Sequence, residues 1–211
     1  AKAGFETTSY SFKNETTGES GILSCACPIE VVPYPVKEIE PADIDLELDT
    51  EFNFLNIALL GPRKNLENSV EWFLEEFKND ANVGLILKTA RSRSSVLDRR
   101  HTLEHLQNII RRYKDSKCKV YLLHGNMSEQ EIHSLYSHPK IKALVTATCG
   151  EGYGLPIFEA AYSGLPVVAT DWSAHLDFLE GEIREKGKLK RKTIMANTII
   201  NTDKLTIKIS S

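Results

Sequence analysis

"GEGYGLPIFEAAYSGLPVVAT", residues 150–170, sets two glutamates, Glu151 and Glu159, on either side of a glycine-bearing loop, with seven residues between them. Glycine lets a backbone turn sharply and approach a ligand closely. The loop Gly152-Tyr153-Gly154-Leu155-Pro156 runs into a predicted helix, and Pro is at home in a first helical turn. Gly164 closes that helix, and "LPVVAT" (165–170) reads as a strand. A helix start offers unpaired N–H groups and the positive end of a dipole, which together hold anions.

Glu159 belongs to the first turns of that helix. A carboxylate beside a phosphate is electrostatically poor, but it suits hydroxyls, as acidic residues suit ribose in dinucleotide folds. Glu151, on the loop before the helix, is placed to grip a second polyol. The pattern suggests a ligand with hydroxyls, then phosphate, then hydroxyls: a nucleotide-sugar.

Outward from this stretch, apolar runs alternate with amphipathic ones. "FNFLNIALLG" ends in Gly61-Pro62 and reads as a buried strand. Val70, Phe73, Leu74 and Phe77 then fall at i, i+3, i+4 and i+7 of a helix. "VGLILKTA" (83–90) predicts a strand, and Leu103, Leu106, Ile110 and Tyr113 mark a helix. "KVYLLHG" (119–125) is a third strand. Ser128 and Glu131 form a capping box opening a helix, and "KALVTAT" (142–148) is a fourth strand. Near-continuous apolar strands alternating with helices predict an α/β, Rossmann-like doubly wound parallel sheet covered on both faces. Such sheets bind ligands beyond the carboxyl ends of their strands. Arg63 and Lys64 follow the first strand, on the same edge as the glycine loop. Alone they read as an exposed basic pair; beside residues 150–159 they read as ligands for a diphosphate.

Composition limits the alternatives. The chain has 211 residues, 41% hydrophobic and 26% charged, ordinary for a soluble globular protein. A net charge of −3 argues against a dedicated nucleic-acid binder. No apolar run reaches the roughly 18 residues of a membrane span. The N-terminus has no signal pattern and no Met, so the chain is expected to begin inside a larger protein. Cys25, Cys27, Cys118 and Cys149 form no disulfide framework; Cys25-Ala26-Cys27 lacks the second ligand pair of a metal site, so small buried or half-buried thiols are expected. The sequons at Asn14 and Asn126 read as chance. Residues 181–192, "GEIREKGKLKRK", read as a solvated basic loop, and the last stretch shows no amphipathic period.

"EGYGLPIFEAAYSGLPVVAT" closely resembles the E-x7-E signature of retaining, nucleotide-sugar-dependent glycosyltransferases of the GT-B fold, in particular glycosyltransferase family 4. "VVPYPV" resembles the linker entering their second domain, and "ALLGPRKNLENSVEWFLEEF" its first strand, phosphate loop and helix. The resemblance covers about residues 28–180.

It implies that residues 1–36 are a remnant of an N-terminal domain plus the linker, 37–180 the nucleotide-sugar-binding C-terminal half of a GT-B enzyme, and 181–211 a basic loop and shortened tail. By resemblance, Glu159 binds the donor ribose, and Glu151 lies near the donor sugar and reaction centre. Gly152, Tyr153, Gly154 and Leu155 contact sugar and diphosphate. Arg63 and Lys64 hold the diphosphate and stabilise the leaving group. Asn126 and Met127 lie where the nucleobase is gripped. No metal or other cofactor is expected, since the basic pair and helix end supply positive charge. The expected reaction is transfer of a sugar from a nucleoside-diphosphate-sugar to an acceptor hydroxyl of a saccharide, lipid or protein, with retention. Without its acceptor domain this chain is expected to be inactive alone.

A non-catalytic nucleotide-sugar-binding module and a GT-B-like epimerase are the competing readings; the E-x7-E loop speaks against the epimerase. Paired carboxylates also occur in glycoside hydrolases, which need no phosphate-binding helix end. No nucleic-acid partner is expected. Cytoplasmic placement is the default from composition, and peripheral membrane contact is added because many relatives work at the inner face of a membrane.

Outside the motif, structural readings prevail. His101, His105, His133 and His138 are expected on helices, exposed or satisfied; Trp72 is expected to pack. His124 ends a strand at the ligand edge, where contact and structural roles balance. Asp171 and Trp172 follow the fifth strand and either line the cleft or turn the chain, the second being the expectation, and His175 has no assigned role.

Overall fold

The computed structural model describes residues 8–14, 16–25, 32, 34–35, 37–185, 188–193 and 198–200. Two compact units, Ala1–Glu38 and Ile39–Ser211, divide the chain. The first holds an antiparallel hairpin, β1 (Thr8–Lys13) with β2 (Ser20–Cys25). Its turn is closed by Asn14, whose Oδ1 accepts from the N–H groups of Thr16 and Thr17 at 2.9 and 3.2 Å. The sequence pattern foresaw no strand in this Thr- and Ser-rich stretch, because neither strand alternates against a buried face.

The second unit carries the sheet. Its elements are β3 (Phe52–Ile57), α1 (Leu66–Phe77), β4 (Val83–Lys88), α2 (Val96–Ile110), β5 (Lys119–Leu123), α3 (Glu129–Ser137), β6 (Ile141–Val145), α4 (Leu155–Tyr162), β7 (Val167–Thr170) and α5 (Leu176–Leu179). Each apolar run named above becomes a strand, two or more residues shorter than the run; β3, β4, β5 and β6 stop before the carboxyl end of theirs, while β7 begins two residues into its run and reaches the end. β8 (Glu180–Glu185) and β9 (Lys188–Thr193) form an antiparallel hairpin, and β10 (Thr198–Ile200) returns to the sheet. The solvated loop expected over 181–192 is therefore corrected to a ribbon. Its register pairs Glu182 with Arg191 and Glu185 with Lys188. β10 also carries the sheet past residue 180, where the sequence pattern ended the domain.

Strand order is β10-β7-β6-β3-β4-β5, every neighbouring pair parallel. Numbered along the sheet-forming chain this is 3-2-1-4-5-6, the doubly wound Rossmann-like order. The faces divide as the alternation requires. Leu55, Ile86, Leu144 and Val167 pack with Leu135 of α3, Ile157 and Ala160 of α4, and Leu179 of α5. Leu85 and Leu87 pack on the other face with Val70, Phe73 and Leu74 of α1 and Leu106 and Ile109 of α2. The stretch 37–49, without regular structure, lays Ile44, Leu46 and Leu48 against the first of these cores. Among the described residues no helix is long and apolar enough to cross a membrane.

Candidate functional site

In an order of this kind the chain leaves β3 toward β4 on one side and enters β6 on the other. The crevice beyond the carboxyl ends of β3 and β6 is the topological switch point, where no crossover covers the sheet edge. The Gly61–Lys64 turn follows β3 and the 149–154 loop follows β6, so the fold brings both motifs to one place. The Cys149 N–H donates to the Arg63 carbonyl at 2.8 Å, joining the two loops by their backbones. Asn65, in the left-handed region at φ 52°, donates from its side chain to the Ala147 carbonyl at 3.1 Å.

The side chains meet as well. Lys64 Nζ donates to both oxygens of Glu151, at 2.6 and 2.8 Å, and Arg63 donates to one of them at 3.0 Å. Arg63 also bonds the Gly150 carbonyl. Glu151's side chain is 8% exposed, against 19% for Lys64 and 58% for Arg63. Burial pushes the Glu151 carboxyl up, but hydrogen bonds from Lys64, Arg63 and Thr148 outweigh it and hold the group below its ordinary range. The expected polyol ligand and the expected phosphate ligands thus satisfy one another in the free protein.

Gly154 caps α4 at φ 93°, and a Cβ there would lie 3.3 Å from both His175 Cβ and Ile157 Cδ1. Only glycine both adopts that backbone and fits. Pro156 sits in the first turn, as its sequence position predicts. Leu155 opens the helix, Gly152 lies in open space, and Tyr153 packs its ring against Phe158 and Phe178, with centroids 5.6 and 5.1 Å away. Glu159 turns toward α3, where its Oε2 accepts from the Tyr136 hydroxyl at 2.9 Å. Burial and the neighbouring carboxylate push the Tyr136 hydroxyl's pKa upward, so it stays a donor.

An open cleft of about 840 Å³ runs along this edge, lined by residues following β3, β4 and β5. Arg63, Lys64 and Lys88 are cationic residues of its lining, which also includes Asn126, Met127 and, from the first turn of α4, Pro156. Glu151 and Glu159 are not among its lining residues. Lys88 ends β4 and bonds the Gly125 carbonyl; burial lowers its pKa, partly offset by Glu131. His124 is held structurally: its Nε2 lies 3.0 Å from Asp98 Oδ2, with side chains 3% and 8% exposed. Although burial pushes the Asp98 carboxyl up, His124 and the Ser92 and Arg91 N–H groups bring it below its ordinary value. This pair ties the first turn of α2 to the end of β5.

The structure therefore gathers Arg63, Lys64, Glu151 and Gly154 at the switch point. It places Asn126 and Met127 in the lining of the cleft and turns Glu159 to α3. Lys88 escaped the sequence reading because it closes an apolar run; the rule that strand ends carry the ligand would have marked it. Thr148, Ser173 and Tyr136 left no local signal, since their partners lie on other elements. The remaining histidines divide: His105 pairs with Glu67 at 2.9 Å, and His175 is fully buried, with Nε2 donating to the Thr170 carbonyl at 2.7 Å. Trp72 and Trp172 are 43% and 63% exposed. Trp172 nonetheless donates from its indole to the Cys149 carbonyl at 2.9 Å, joining the segment after β7 to the loop after β6. Cys118 and Cys149 are free thiols, the first buried and the second exposed, so only one fits the buried expectation; Cys25 and Cys27 lie outside the described side chains.

No family model matches the sequence. A serotype-specific mannosyltransferase, WbdA of Escherichia coli, is 27% identical over 121 residues, which are 56% of this chain and 13% of the relative. Another protein of that name and organism is 28% identical over 119 residues, again 13% of its length. The chain thus spans a small part of the curated relatives it matches. Among solved structures, an OtsA apo structure aligns with 63% of this chain and 32% of that chain, at a TM-score of 0.49 and 17% identity. The C-terminal domain of a glycosyl transferase group 1 family protein, LpcC from Francisella tularensis, aligns with 63% of this chain and 67% of that chain, at 0.48 and 19%.

Proposed function

We propose that this chain is the donor-binding part of a retaining, nucleotide-sugar-dependent glycosyltransferase of GT-B type, moving a sugar from a nucleoside diphosphate to an acceptor hydroxyl. The observation that carries the reading is the cluster of Arg63, Lys64 and Glu151 at the switch point, beside a cleft whose only lining charges are cationic. A departing diphosphate needs positive charge, and two cations already gathered at the switch point by a buried carboxylate supply it. An incoming diphosphate takes Glu151's place as their partner, which frees that carboxylate toward the sugar. The E-x7-E resemblance and the matched mannosyltransferase segments support the same class. The acceptor, a saccharide, lipid or protein hydroxyl, then belongs to a domain outside this chain, with a peripheral membrane site and cytoplasmic placement as corollaries.

Calorimetric titration of the chain with UDP, GDP and their sugars tests the reading, repeated on Glu159→Ala. Micromolar to millimolar binding of one nucleotide, weakened in the variant, is expected. No heat with any of them overturns the nucleotide-sugar assignment.

A further inference from the structure

Ser173, in the loop between β7 and α5, has a backbone φ of 89°. That is left-handed territory, where glycine is at ease and a side chain is strained. Apart from Asn65 it is the one non-glycine residue with positive φ among the described residues. The question is what serine supplies there that glycine would not.

Its hydroxyl brackets a single residue. The Glu151 N–H donates to Ser173 Oγ at 2.9 Å, and the same Oγ donates to the Glu151 carbonyl at 2.9 Å. These two groups flank the Glu151 Cα, so one hydroxyl restrains both backbone dihedrals of that residue. The loop that delivers it is itself anchored. Thr170 Oγ1 donates to the Thr148 carbonyl at 3.0 Å, Trp172 to the Cys149 carbonyl, and buried His175 to the Thr170 carbonyl. Every one of these bonds, His175's excepted, ends on residues 148–151. With its backbone pinned, the Glu151 carboxylate keeps only side-chain torsions with which to reach Lys64 and Arg63.

We propose that Ser173 is a positioning residue: its hydroxyl fixes the Glu151 peptide and thereby sets the geometry of the Glu151–Lys64–Arg63 cluster. The assignment of that cluster as a diphosphate site rests on the nucleotide-sugar reading; the positioning role does not.

Two variants separate the hydroxyl from the strain. Ser173→Ala removes the hydroxyl and keeps the strain, whereas Ser173→Gly removes both, so the glycine variant is expected to melt above the alanine one. Carboxyl-carbon NMR titration, with the Glu151 resonance assigned by its loss in Glu151→Gln, reads the cluster directly. Both Ser173 variants are expected to raise the Glu151 midpoint toward the ordinary carboxylate range, by about half a pH unit or more, a threefold change in proton affinity. A midpoint unchanged in both variants overturns the proposal. If the unmodified chain binds UDP or GDP, both variants should weaken that binding about fivefold or more, because a ligand site displaced by a fraction of an ångström loses affinity; equal affinity overturns the role. If the unmodified chain binds neither nucleotide, the function proposed above fails, while the carboxyl titration still decides Ser173.

Discussion

Glu151 shows how one residue's chemistry changes with its neighbours. Buried alone, its carboxylate would be driven toward neutrality; with Lys64 and Arg63 donating to it, the charged form wins. Because the folded-state pKa is depressed, the ionised group stabilises the fold above its unfolded-state value. That contribution is lost as pH falls through the folded one. Wild type and Glu151→Gln should therefore differ in stability at pH 7, by about 1–2 kcal/mol. The gap should close as the pH is lowered below about 4, the ordinary range of a Glu carboxyl. Urea melts across that range measure it, and a pH-independent gap would show that the ion pair is not its source. Gly154 makes a separate prediction. Gly154→Ala must adopt a left-handed φ and push against His175 and Ile157, so it should cost about 1–3 kcal/mol and weaken any ligand held at the start of α4. Thermal melts and nucleotide titration would both record it.

Among the elements, α3 begins on a complete capping box. Ser128 accepts from the Glu131 N–H at 3.2 Å, and Glu131 accepts from the Ser128 N–H at 2.6 Å. Ser128→Ala should cost about 1 kcal/mol, readable as a shift in the urea midpoint. β4 is fixed at its other end by Gly84, where an added Cβ would lie 2.1 Å from Asn53 Oδ1 and 2.6 Å from Thr50 Oγ1. Those atoms belong to a buried network in which Thr50 donates to Asn53 and Asn53 donates to the Thr50 and Lys140 carbonyls. Gly84→Ala must break the network or move the strand, and should cost about 2–4 kcal/mol in the same melts. It lies on the amino edge of the sheet, opposite the cleft, so a variant still folded at low temperature should keep its ligand affinity.

At the scale of the whole molecule, the strand order decides where chemistry can occur. β3 and β6 are neighbours although β4 and β5 intervene in the chain, and their carboxyl ends alone share the uncovered crevice. A bound nucleoside diphosphate should shift the amide resonances of residues 61–65, 88–90, 125–127 and 150–156, the prolines Pro62 and Pro156 excepted. A smaller hollow of about 470 Å³ lies at the amino edge, lined in part by Leu74, Gln107, Tyr113 and Lys119. Its resonances should stay in place. Shifts confined to that hollow would put the ligand on the wrong edge of the sheet for the proposed function.

By itself the sequence determined the alternation of strands and helices, since buried parallel strands must be apolar along their length and amphipathic helices must repeat at 3.6 residues. It also determined the capping box, the glycine and proline at the start of α4, and the list of residues beyond strand ends, all properties carried within a few neighbouring positions. The β8–β9 ribbon and the β1–β2 hairpin escaped it, because strands without sustained apolar alternation leave no period to read. Only the tertiary structure decided which loop ends meet. It paired Glu151 with Lys64 and Arg63, turned Glu159 to Tyr136, brought Lys88 into the cleft and set Ser173 across Glu151. Those partners stand 22 to 88 residues apart in the chain. Their meeting depends on how the strands are ordered in the sheet, which no local pattern of residues encodes.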